Sequence, residues 1–179
     1  MPHNPILPRD HVHTLSEACA NGPAVEAASR RALDLQPRLV RFFRANLPQM
    51  SDQTGEVSLY LLSVVIRVYS GSGGQLGKVG AGDITAATQK VQAVARRMLP
   101  GDAGFPERVR GVSDRAQPHL LDEALWALFE RDRQEREVEI PQDQAALLFL
   151  MLWAAVEALE RAWRAPAAPA WATETTGAA

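Results

Sequence analysis

A single cysteine, Cys19, stands in a chain of 179 residues, which rules out an internal disulfide and leaves no thiolate set for a zinc ion. No unbroken apolar run exceeds the twelve residues Ala145 to Val156, well under the roughly 18 that a membrane span requires. That run reads instead as a buried core helix. Charge of one sign is also lacking: the formal net charge is −2 and the pI about 6.1, so there is no global attraction to nucleic acid or anionic membranes. Residues Met1 to Asp10 contain Pro2, Pro5 and Pro8 where a secretory leader needs continuous apolar residues, so a cytoplasmic setting is expected.

Recognisable catalytic patterns are missing as well. There is no G-x-S-x-G elbow, and no pair of carboxylates stands in an evidently apolar setting. Ser72-Gly73-Gly74-Gln75-Leu76-Gly77-Lys78-Val79 approaches a phosphate-binding loop, but Ser72 stands where the first glycine belongs and Val79 where a magnesium-binding hydroxyl belongs. A flexible interhelical loop is the expectation for 71–82. Asp10-His11-Val12-His13 resembles the H-x-H opening of metal-dependent hydrolases of the polymerase-and-histidinol-phosphatase type. Only His3 and His119 remain as further histidines, too few to complete such a site. Cys19, among Leu15, Ala18 and Ala20, reads as a small buried side chain. The sequence therefore predicts no catalytic residue, no metal and no cofactor.

What is present is helical period. Hydrophobic residues make up 46% of the chain, and this length suffices for one core burying roughly 70% of the unfolded chain's surface. The segment Val57 to Tyr69 is rich in valine, but Glu56, Tyr60, Ser63, Arg67 and Ser70 follow one another at spacings that align only on a helix. Ser51 is placed to cap it. Asp83 is read as the cap of another helix, carrying Ile84, Ala87, Val91, Val94, Ala95 and Met98 on one side. Pro23, Pro37, Pro106, Pro118 and Pro141 each suit a first helical turn. The expected fold is an all-α, single-domain bundle of about six helices over 14–164, with an extended arm at 1–13 and a disordered Ala/Pro/Thr tail at 165–179.

Two stretches echo each other. Gln36-Pro37-Arg38-Leu39 and Gln117-Pro118-His119-Leu120 each open a helical pattern followed by a long apolar segment. This is compatible with two duplicated helical hairpins, by architectural analogy with HEAT-type repeats.

These patterns predict a non-enzymatic protein-interaction or scaffold domain, with a protein partner or self-association, and with neither membrane nor nucleic acid as partner. Arg31, Arg38, Arg41 and Arg44 are candidates for an acidic partner, though Pro37 threatens to scatter them, and the acids between 122 and 143 offer a complement in a homodimer. In the last helix Asp143, Ala146, Leu150, Trp153, Glu157, Glu160 and Arg164 share a face. Either neighbours enclose its apolar middle, the favoured expectation for a helix apolar all round, or Leu150 and Trp153 meet a partner. The alternative is a small-molecule-binding helical regulator with an interhelical pocket near Tyr60, Trp126 and Trp153.

Overall fold

A computed structural model describes residues 4–22, 24–132, 139–169 and 171. Among them are eight α-helices: α1 (Arg9–Ala20), α2 (Val25–Leu35), α3 (Pro37–Asn46), α4 (Asp52–Gly71), α5 (Ala81–Met98), α6 (Phe105–Arg110), α7 (Pro118–Leu125) and α8 (Gln142–Ala162). A 3-10 turn, Leu47–Gln49, leads to α4, and a π-helical turn, Trp126–Glu130, follows α7. Two short strands, β1 (Gln75–Leu76) and β2 (Trp163–Arg164), pair antiparallel with Gln75 opposite Arg164. The all-α reading is correct, with eight α-helices among the described residues where about six were expected. No described helix is long and apolar enough to cross a membrane.

The centre is α8. From Ala145 to Leu159 every residue is buried except Leu147 and Leu150, which are half-buried. Its supposed outer face is thus enclosed by neighbours, above all α5 and α4. Helix α4 crosses beside it despite its valines, since packing outweighs a few tenths of a kcal/mol of propensity per β-branched residue. The Ser51 side chain accepts a hydrogen bond from the Thr54 N–H at 3.2 Å, as its position foretold. Thr54 Oγ1 in turn donates to Gln144 Oε1, tying the start of α4 to the start of α8. Along the polar stripe of α4, Glu56 and Ser70 are exposed, whereas Ser63 is buried and donates to the Tyr60 carbonyl. The stripe is helical but wet only at its ends.

Four expectations need correction. Residues 9–13 belong to α1 rather than to an extended arm, and Leu7 and Val12 are fully buried. Helix α5 begins at Ala81; Asp83 stands in its first turn and reaches back, its Oδ2 accepting from the Gly80 N–H at 2.8 Å. The start of the tail is packed: Trp171 is buried, with its ring 5.8 Å from that of His11. Residues 1–3 of the expected arm, residues 170 and 172–179 of the expected tail, the central part of the acidic stretch (133–138) and Pro23 lie outside the described residues.

The glycine segment after α4 is an ordered clasp rather than a flexible loop. Gly73 O accepts from Trp163 Nε1, Gly77 N donates to Ala162 O, and Gly77 O accepts from Gln36 Nε2. Gly74 has φ of +75° and lies so close to the Arg164 carbonyl that a Cβ would overlap it. These contacts engage Gly77 N and tie the segment to Gln36, Ala162 and Trp163.

Candidate functional site

Helices α1, α4 and α7 do not close completely on one another. Between them, with Leu152 of α8 and Ile140 contributing to the wall, lies a cavity of about 360 Å³, partly open to solvent. Helix α4 presents Val57, Tyr60, Leu61 and Val64 to it, and α7 presents Leu120, Glu123 and Ala124. The π-helical turn adds Trp126, Ala127 and Leu128. At the end of that turn Arg131 N donates to Trp126 O at 2.8 Å; such single-turn π-bulges are frequent at functional sites. Here it leaves Trp126 at the cavity 41% exposed.

The wall is mainly apolar with a few polar groups: Ser16 and Glu17 of α1, Tyr60, Glu123 and Arg131. Ser16 Oγ, behind this wall, is buried and has no hydrogen-bond partner among the described residues. Burial pushes the Tyr60 phenol up, the nearby Cys19 and Glu17 act in the same sense, and Arg67 and Arg131 oppose them. Tyr60 therefore remains a neutral donor. Burial likewise raises the Cys19 thiol, with Arg67 partly offsetting it; Cys19 is a poor nucleophile, consistent with a packing role. Glu123 receives His13 Nδ1 at 3.1 Å just outside the lining.

Two of the three pocket residues named from the sequence, Tyr60 and Trp126, line this cavity. Trp153 does not: it is fully buried, its indole N–H donating to Glu157 Oε1 at 3.0 Å. The same burial removes Trp153 from any partner surface, and Leu150 is half-covered beside it. Arg31, Arg38, Arg41 and Arg44 are all exposed, and Gln36 breaks the helix between the first and the rest, with φ −127° and ψ 59°. Three of the acids proposed as their complement, Asp122, Glu123 and Glu130, are engaged within the molecule. Asp122 pairs with Arg115 at 2.9 Å, and Glu130 receives both guanidinium nitrogens of Arg110 at 2.7 and 2.8 Å.

His11 and His13 lie two residues apart on a helix and diverge, His11 Nε2 meeting Ser72 Oγ at 3.1 Å. Among the described residues no group of histidine, cysteine, aspartate or glutamate is arranged to hold a metal ion. Sequence reasoning missed Ser16, Glu17, Glu123 and Ala124, whose joint placement depends on how α1 meets α7. No protein-family model, no curated protein and no solved structure matches the chain.

Proposed function

We propose that this chain is a non-enzymatic binding protein for a small, predominantly apolar molecule held between α1, α4 and α7. The cavity supports the reading. Its volume falls within the roughly 300–1,000 Å³ typical of ligand sites, and its wall combines apolar surface with a few converging polar groups. The neutral Tyr60 hydroxyl would fix the ligand's orientation, while Trp126 covers it from the solvent side. The fluorescent apolar probe N-phenyl-1-naphthylamine is expected to bind saturably, with Kd of roughly 1–100 µM. Probe at 100 times its Kd should stabilise the fold by about 2.7 kcal/mol. Absent or non-saturating fluorescence enhancement would contradict the reading.

A second reading rests on the exposed arginines, since Arg31, Arg38, Arg41 and Arg44 make no ion pair with a described residue. Three of them share α3, which suits docking of an acidic partner by electrostatic attraction. Arg38→Ala with Arg41→Ala should weaken capture of a polyglutamate peptide several-fold at low salt, and the difference should fade above about 0.5 M salt as the charges are screened. Equal capture by the unaltered and double-variant proteins would dispose of this reading.

A further inference from the structure

Gln36 and Gln117 do the same work in opposite directions. Both are buried, and each precedes a proline that opens a helix. The Gln36 amide donates to Gly77 O at 2.9 Å and accepts from Val79 N at 2.9 Å. The Gln117 amide donates to Pro5 O at 3.0 Å and accepts from Leu7 N at 2.8 Å. In both cases a side chain completes a β-like bridge to an extended segment that runs straight into a long helix. The segment held by Gln36, in the first half, enters α5 in the second; that held by Gln117, in the second half, enters α1 in the first. The strands following α4 and α8 then pair with each other antiparallel, as a two-fold relation between halves requires.

On that correspondence α3 aligns with α7 without a gap: Gln36 with Gln117, Leu39 with Leu120, Phe43 with Ala124. All six are buried, so the helices use the same inner face. They differ at the last pair by a whole phenyl ring. Phe43 is fully buried on α3, whereas Ala124 forms part of the cavity wall on α7.

We infer that the two halves are copies of one four-helix unit, and that the ligand is an uncharged molecule of about two fused rings. Its ring system takes the place on α7 that the Phe43 side chain takes on α3. This rests on the ligand-binding reading and narrows it. A cavity that admits one benzene ring measures about 150 Å³, so 360 Å³ accommodates roughly twice that bulk. At the same cavity Glu123 is engaged by His13 at 3.1 Å, which leaves Glu17 and Arg131 as charges of opposite sign on the wall and gives neither a cationic nor an anionic ligand a strong advantage. Because Phe43 fills the corresponding position in the other half, the stoichiometry is one per chain.

The test compares the unaltered full chain with Ala124→Phe and Ala124→Leu, using N-phenyl-1-naphthylamine as probe and thermal unfolding without probe as a second readout. The inference expects one site in the unaltered protein. Ala124→Phe should weaken binding at least about tenfold and melt several degrees higher without probe, since it fills a cavity. Ala124→Leu should fall between on both scales, and keeps the test intact should the larger side chain prevent folding. If the unaltered protein binds but both variants bind equally well, or if both melt lower, the correspondence fails while the ligand-binding reading stands. If no protein binds the probe, the ligand-binding reading and the ligand class fall together, even where the variants still gain stability.

Discussion

Glu157→Ala is expected to lower the stability of the fold by about 3–5 kcal/mol, because it leaves two buried donors unsatisfied and takes from the half-buried Lys90 its less exposed partner. Glu157 lies in the buried middle of α8, 7% exposed. Its Oε1 accepts from Trp153 Nε1 and from Ala116 N, each at 3.0 Å, and its Oε2 accepts from Lys90 Nζ at 2.9 Å. One carboxylate thus joins α8, α5 and the segment leading to α7. Alanine would leave a buried indole N–H and a backbone N–H unsatisfied, at about 1–3 kcal/mol each. Lys90 would keep only Asp114, whose side chain is 86% exposed. For a chain of this size the melting midpoint should fall by roughly 6–20 °C. Glu157→Gln, which keeps an acceptor but not the charge, should lose about half as much. A drop below about 1 kcal/mol for alanine would refute the assignment.

The pair also predicts an alkaline limit. Burial alone would lower the Lys90 pKa, but hydrogen bonds from its ammonium to Glu157 and Asp114 outweigh burial and raise it. A raised lysine pKa contributes stability that is fully present below the ordinary value of about 10.4 and is lost as pH rises through the folded value. The unaltered protein should therefore lose stability above that pH more steeply than Glu157→Ala does.

Gln117→Ala is expected to cost about 2–4 kcal/mol, through a different route. The backbone of Gln117 is left-handed, with φ 44° and ψ 64°, a conformation disfavoured by about 1 kcal/mol for a residue with a Cβ. Its side chain holds it there by clasping Pro5 O and Leu7 N and by donating to Glu160 Oε2 at 3.1 Å. Alanine keeps the strained backbone and loses all three bonds. The buried Leu7 then has an amide without a partner, so its hydrogen exchange should accelerate with the loss of stability. Gln117→Gly should recover about 1 kcal/mol of that loss, because glycine adopts positive φ freely. Unchanged protection of Leu7 in the alanine variant would show that the clasp contributes nothing.

Legibility in the sequence followed the range of the interaction. The helical period of α4 and the Ser51 cap are decided within a few residues, and both are as read. Tyr60 and Trp126 stood out as large side chains with a polar end, and both line the cavity. The burial of Trp153 was open because its environment depends on Glu157, whose partners come from α5 and the segment before α7. The start of α1 was hidden by three prolines that suggest an extended arm. Leu7 and the Gln117 clasp, distant in sequence, hold that segment against the core. The echo of the two Gln-Pro pairs was visible, yet its content was not: side-chain amides replacing a β-ladder leave no trace in hydrophobic period. Glycines at 73 and 74 looked like slack, whereas positive φ and the nearness of the Arg164 backbone require them.

The most direct measurement is a two-dimensional ¹H–¹⁵N spectrum of the full chain titrated with N-phenyl-1-naphthylamine, read at the four tryptophan indole N–H signals and at the amides of Ser16 and Ala124. Binding between α1, α4 and α7 predicts that the indole of Trp126 moves and saturates together with those two amides. The indoles of Trp153 and Trp163 should stay in place, since each is already hydrogen-bonded inside the core. A spectrum that does not change, or one whose saturating shifts avoid Trp126, Ser16 and Ala124, would contradict the account.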